Sequence, residues 1–275
     1  MKFIRIIVIV VFCLSAAIFG AAQVREISSA DATVPEITSD RDVLEISCDY
    51  TEEQLVEGLT AYDEKDGDLT SQIIAGSFSR FITKGECNIN YVVFDSANQP
   101  ATLTRRVVFT DYHSPRFTLT QPLVYEEGEG SYNTSMERIG ASDMLDGDLN
   151  DWITQTDTDL NYSREGDYHM TVEVTNSFGD TSTLAMPVHV VKEGAQNINI
   201  ELESYIVYIE PGESLSPRSF VSGVYDSRGN QLDSDVLEIS DDIDEETPGC
   251  YEVHYHADDG EGNTGDMWLT VVVQE

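Results

Sequence analysis

The feature that most restricts how this chain can fold is an internal repeat of about eighty residues. Asp63-Glu64-Lys65-Asp66-Gly67-Asp68-Leu69 is matched by Asp143-Met144-Leu145-Asp146-Gly147-Asp148-Leu149 at an offset of 80, and by the degenerate Asp226-Ser227-Arg228-Gly229-Asn230-Gln231-Leu232 a further 83 residues on. A second landmark keeps the same period. Gly85 precedes Cys87, Ile89, Tyr91 and Val93; Gly166 precedes Tyr168, Met170, Val172 and Val174; Gly249 precedes Tyr251, Val253, Tyr255 and Ala257. Two independent landmarks on one period define three copies of one unit. The 275-residue length alone suggests about two domains. The repeat predicts three, at residues 31–112, 113–194 and 195–275, behind an N-terminal segment of residues 1–30.

Apolar residues at every second position, rich in Tyr, Val and Ile, predict half-buried antiparallel strands. Turn-forming runs follow each of them: Asp95-Ser96-Ala97-Asn98, Asn176-Ser177-Phe178-Gly179 and Asp258-Asp259-Gly260-Glu261-Gly262-Asn263. Each turn leads into a further strand, Thr102 to Thr110, Thr183 to Val191 and Gly265 to Val273, so each unit closes on a hairpin. No segment after residue 30 carries a helical apolar stripe; Thr51 to Leu59 has room for a single turn. Short strands and regular turns over eighty residues predict an all-β chain of three small sandwiches.

The run Asp66-Gly67-Asp68-Leu69-Thr70, then Lys84-Gly85, then Asn90 to Asn98 resembles the bacterial immunoglobulin-like repeat of unknown function first described from a pesticidal crystal protein. It is also similar to hyalin-type repeats. The match covers the first two units well and the third only from Gly249 to Val273. The resemblance implies tandem immunoglobulin-like sandwiches on secreted or surface proteins of bacteria, acting in adhesion or as spacers without catalysis.

Lys2 and Arg5 precede an uninterrupted apolar run from Ile6 to Ala22, and the charged stretch from Gln23 to Glu26 closes it. This pattern predicts an export signal. Its 17 residues lie between the apolar region of a cleaved signal peptide and a membrane-spanning helix. Two outcomes follow: an uncleaved helix that tethers an extracytoplasmic protein to the membrane, or cleavage after Ala22 and secretion. Four cysteines include Cys13 in the apolar run, leaving the odd set Cys48, Cys87 and Cys250. An odd set excludes a complete disulfide framework. Cys48 and Cys87 form either one bridge inside the first unit or two buried thiols.

The chain holds 51 acidic against 15 basic residues, a formal net charge of −36. No basic stripe exists to neutralise phosphates, so nucleic acid is excluded as a partner. With 40% hydrophobic residues the chain is not a disordered acidic tail, and the charge belongs to folded surface.

Part of that charge is organised in the repeated turns. Asp63, Asp66 and Asp68, and again Asp143, Asp146 and Asp148, offer the hard oxygen ligands that calcium prefers. Lys65 stands where an EF-hand would have its third ligand, and no Glu closes the loop at position 12. The alternative to a calcium site, completed by residues such as Asp95 or Asp111, is a tight turn whose carboxylates cap backbone amides. In the third unit, His254 and His256 share one strand face, and pairing His256 with Asp266 would set His254 opposite Trp268. His254, His256 and Asp266 form a candidate transition-metal group, the alternative being an ordinary solvated strand face. Trp268 is either a stacking platform for a sugar or partner, or is covered by the neighbouring unit.

Five scattered His, no glycine-flanked serine, no zinc-protease helix motif and no phosphate-cradling loop predict a protein that is not an enzyme. No cofactor is required; calcium is the candidate ion of the Asp-Gly-Asp turns. The expected function is adhesion, protein interaction or spacing at a cell surface; the alternative is a calcium-binding module that recognises a surface protein or polysaccharide.

Overall fold

The computed structural model describes residues 2–29 and 33–274. The chain divides into two compact units, residues 1–110 and 111–275.

The first unit opens with helix α1 (Lys2–Ser29), which contains the apolar run. Among the described residues no helix is long and apolar enough to cross a membrane. The tether read from the sequence is therefore not supported. As a helix the 17-residue run rises only about 25 Å, short of the ~30 Å hydrocarbon core.

After α1 come β1 (Glu36–Ser39), β2 (Val43–Ile46), the single-turn helix α2 (Glu52–Leu55), β3 (Leu59–Asp63), β4 (Gly67–Asp68), β5 (Ile74–Phe78), β6 (Glu86–Phe94) and β7 (Pro100–Phe109). They make one sheet of order β1-β3-β4 and another of order β2-β7-β6-β5. The first edge of the unit changes sheets between β1 and β2. β1 pairs antiparallel with β3, and β2 then runs parallel to β7. The alternation read from the sequence places Cys87, Ile89, Tyr91 and Val93 of β6 in the core, all at 0% exposure. Leu44, Leu59, Ala61, Leu69 and Val107 are buried as well. Each large apolar side chain buried this way contributes roughly 1.5–3 kcal/mol, which is what fixes the inward face and with it the register.

The second unit repeats this plan twice. Its first part contains β8 (Arg116–Leu119), β9 (Val124–Glu126), α3 (Tyr132–Arg138), β10 (Ile139–Asp143), β11 (Gly147–Asp148), β12 (Thr154–Thr158), β13 (Gly166–Thr175) and β14 (Thr181–Val191). The sheets are β11-β10-β8 and β12-β13-β14-β9, with β9 parallel to β14. Helix α3 was not expected from the sequence. It starts at Ser131, whose Oγ accepts from the Thr134 N–H while the Thr134 hydroxyl accepts from the Ser131 N–H, a reciprocal cap.

The remainder is β15 (Asn199–Leu202), β16 (Ile206–Ile209), β17 (Val221–Tyr225), β18 (Leu237–Asp241), β19 (Gly249–Asp258) and β20 (Thr264–Val273), in sheets β15-β17 and β16-β20-β19-β18. The degenerate third motif retains only one bridge, Tyr225 to Gln231, where the other copies have a short strand. The fold is all-β, built of sandwiches.

Within the second unit the two sandwiches share a joint. Ile206 of β16 is buried in the core formed by Phe117, Leu123, Tyr125, Met170 and Val188. The Phe117 N–H donates to Tyr208 Oη at 2.8 Å, and the Arg116 guanidinium lies 5.1 Å from the Tyr208 ring centroid. Arg116 also donates through Nε to Gln274 at 3.0 Å.

Candidate functional site

The Asp-Gly-Asp turn of the first unit is built by its own side chains. Asp63 Oδ1 accepts from the Lys65 and Asp66 N–H groups at 2.8 and 2.9 Å, and from the Thr33 hydroxyl at 3.2 Å. Gly67 then takes φ +78°, which closes the turn and which a side chain would strain. Asp68 accepts from the Thr70 N–H at 2.9 Å. Asp66 reaches across to the hairpin loop that follows β6, where Ser96 donates both its N–H (2.7 Å) and its hydroxyl (2.9 Å) to the carboxylate. Three of the candidate ligands thus act as turn and loop fasteners.

Two carboxylate oxygens at this corner have no such role. Asp95, the residue before Ser96, accepts from the Gln99 N–H through Oδ1 at 2.7 Å. Its Oδ2, and the Oδ2 of Asp63, are buried without a hydrogen-bond partner. Asp63 is 1% and Asp95 7% exposed.

The second unit uses the same frame. Asp143 Oδ1 accepts from Leu145 and Asp146, Asp148 from Asn150, and Asp146 from the Ser177 N–H and hydroxyl at 2.6 and 2.8 Å. The difference lies at the buried oxygen. Asn176 stands at the position of Asp95, and its amide donates to Asp143 Oδ2 at 3.1 Å and to Tyr112 Oη at 2.9 Å. Tyr112 in turn donates to Asp180 at 2.8 Å. Burial, reinforced by Asp180 and Asp143, pushes the Tyr112 hydroxyl far above its ordinary value. In the degenerate third copy, Asp226 and Asp259 accept from the Asn230 and Asn263 side-chain amides respectively.

The β19–β20 register sets His256 opposite Asp266 and His254 opposite Trp268. His254 Nε2 and His256 Nδ1 both reach Asp266 Oδ1 at 2.8 Å. Among the described residues, His254, His256 and Asp266 form a group of three candidate ligands, with ligand atoms within 4.8 Å of one another. Burial acts to raise the Asp266 carboxyl, but the two imidazole hydrogen bonds outweigh it and hold it below the usual range. A cation here would have to displace both bonds.

That face is not solvated like an ordinary strand face. His189, from β14 of the neighbouring sandwich, stacks on Trp268 at 3.9 Å between centroids, and His254 stacks on Trp268 at 4.5 Å. His189 is itself 5% exposed and is held by Asp167 through Nδ1 and by Glu252 through Nε2. Of the two readings for Trp268, coverage by the neighbouring unit is the one found. Nothing local in the sequence marks His189 for this place, because its partners Asp167, Glu252 and Trp268 lie 22, 63 and 79 residues away.

The chain is similar to pesticidal crystal protein Cry22Aa of Bacillus thuringiensis. The two are 26% identical over 220 residues, which is 78% of this chain and 29% of that protein. An uncharacterized 81.3 kDa protein of Acholeplasma phage L2 is 33% identical over 139 residues, 49% of this chain and 18% of its own length. The chain thus spans less than a third of either relative. No family model matches it. Solved structures similar to it include the M60 catalytic domain with two CBM51 domains of Clostridium perfringens ZmpB, at 16% identity over 89% of this chain and 31% of that one, with a TM-score of 0.24. Human CDH23 EC21-23 is 11% identical over 87% of this chain and all of that one, with a TM-score of 0.21.

Cys48 and Cys87 are buried and not joined to one another. Burial pushes the Cys87 thiol up to about 11 and the Cys250 thiol up to about 12. They pack as small apolar groups, the second of the two readings.

Proposed function

We propose that this chain is an exported, non-enzymatic protein whose immunoglobulin-like sandwiches act in adhesion, protein interaction or spacing outside the cytoplasm, with a cell-surface protein or polysaccharide as partner. The modules are residues 31–112, 113–194 and 195–275. The observation that carries this reading is the joint between the second and third modules, where Ile206 of one is buried in the core of the other and Tyr208 receives the Phe117 N–H. A joint fastened by core packing and hydrogen bonds transmits orientation from one module to the next, which a presenting or spacing element requires and an isolated soluble domain does not. The charged-then-apolar N-terminal run supports export, and the strong negative charge supports a self-repelling, soluble surface.

Residual dipolar couplings on residues 111–275 within the full chain, compared with Ile206→Ala and Tyr208→Ala, test the joint. A single alignment tensor for both modules, split in the variants, is expected. Independent tensors in the wild type would remove the basis of the spacer reading. Protease accessibility on intact cells tests the location: protection until lysis would place the chain inside.

A further inference from the structure

One corner is repeated three times with three different solutions to the same problem. In the second repeat the acid Asp143 meets an amide and a phenol, and its Oδ2 accepts from Asn176 at 3.1 Å. In the third, Asp226 and Asp259 accept from the side-chain amides of Asn230 and Asn263. In the first, the Asn176 position is Asp95, and both Asp63 Oδ2 and Asp95 Oδ2 lack any hydrogen-bond partner although their residues are 1% and 7% exposed.

The loops carrying these two acids are held together in the same way in the first and second repeats. Asp66 clasps Ser96 through its N–H and hydroxyl, as Asp146 clasps Ser177. Asp95 Oδ1 accepts from the N–H four residues on, as Asn176 Oδ1 does. The common frame therefore brings Asp95 to Asp63 as it brings Asn176 to Asp143. An ionised carboxylate oxygen removed from water needs a positive or hydrogen-bonding partner, and the cost of leaving it without one is several kcal/mol in typical interiors. The second repeat supplies that partner from its own chain. The first does not.

We propose that Asp63 and Asp95 bind a divalent cation, calcium, at this corner of the first repeat. The two buried carboxylate oxygens without a hydrogen bond are hard ligands that suit calcium, whose remaining coordination positions backbone carbonyls and water can fill. Among the described residues the second and third repeats lack this arrangement, because Asn176 and Tyr112 occupy the equivalent place in the second and Asn230 and Asn263 pair the acids of the third. Asp66 and Asp68, with their bonds to Ser96 and Thr70, shape the loop without ligating.

The same two oxygens could instead share a proton, and the experiment separates the two. The full chain, stripped with chelator, is titrated with calcium chloride by calorimetry and with terbium by luminescence, alongside Asp95→Asn, Asp63→Asn and Glu64→Gln. Asp95→Asn reproduces the residue that the second repeat carries in the same frame, so it keeps the Gln99 bond and folds; circular dichroism verifies that. The expected result is one calcium per chain with a Kd of ~0.1–1 mM, the range of extracellular modules, and a higher Tm with calcium. Affinity should fall at least about tenfold in Asp95→Asn and Asp63→Asn and stay unchanged in Glu64→Gln, whose charge is adjacent but exposed. No saturable binding in the wild type, or an equal loss in Glu64→Gln, overturns the proposal, the first leaving the shared proton and the second diffuse attraction to an acidic surface. Binding that persists undiminished in a folded Asp95→Asn also overturns it.

Discussion

Glu252 on β19 and His189 on β14 meet at 2.6 Å across the joint between the second and third repeats. Asp167 holds the other ring nitrogen of His189 at 2.8 Å. A neutral imidazole has one N–H, so two carboxylate acceptors require the imidazolium. Burial opposes that charge, but Glu252 and Asp167 outweigh it and the His189 pKa is raised.

A raised folded-state pKa stabilises the fold below the unfolded value of about 6.5, and that stability is lost as pH rises through the folded value. The joint is therefore strongest in mild acid. Thermal unfolding of the full chain should show the transition of residues 111–275 falling as pH rises from 6 upward. In His189→Gln the transition at pH 6 should be lower by about 2 kcal/mol, and the pH slope between 6 and 8 much flatter. An unaltered slope would show that His189 is not the titrating group.

Tyr112→Phe removes the hydroxyl that donates to Asp180 and accepts from Asn176. Asp143 Oδ2 keeps the Asn176 amide, so the loss should be limited to about 1–2 kcal/mol. Urea unfolding measures it. A neutral result would mean that water replaces the hydroxyl at no cost.

Arg105 is buried on β7 and serves as a latch for the segment after α2. It donates to the carbonyls of Glu57 at 2.8 Å and Leu55 at 2.6 Å, and to Tyr91 Oη at 3.0 Å. The second repeat has Met186 at the corresponding strand position. Arg105→Met preserves bulk but leaves the Glu57 carbonyl without this donor, so residues 33–110 should lose about 2–3 kcal/mol. Calorimetry of the full chain would show the first transition lowered and the second unmoved; equal shifts in both would contradict the latch.

Cysteine reactivity gives an independent check on burial. With their thiols pushed up to about 11 and 12, Cys87 and Cys250 should react with a thiol reagent at pH 8 far more slowly than Cys13, which is exposed. Mass spectrometry after brief labelling should find adduct on Cys13 and on the other two only after denaturation. Rapid labelling of Cys87 in the native chain would contradict its place in the first core.

Most of the architecture was legible in the residues. Alternation at Cys87-Ile89-Tyr91-Val93 and its two counterparts encodes one face of one strand, because side chains along a strand point alternately to core and solvent. The Asp-Gly turns were equally local: Asp63 bonds amides two and three residues ahead, and Gly67 supplies the positive φ that the turn needs. Helix α3 was missed because its seven residues carry a reciprocal Ser131–Thr134 cap but no apolar stripe.

Tertiary structure decided what the acids do. The spacing of Asp63, Asp66 and Asp68 is the same as that of Asp143, Asp146 and Asp148, and nothing local separates a fastened carboxylate from one with an unpartnered buried oxygen. That difference comes from residues thirty or more positions away, Asp95 in one copy and Asn176 and Tyr112 in the other. Likewise, the strand face of His254 and His256 reads as solvent-facing in the sequence until His189 is brought against Trp268. A pattern of period two reports which way a side chain points; what it meets there depends on contacts that only folding creates.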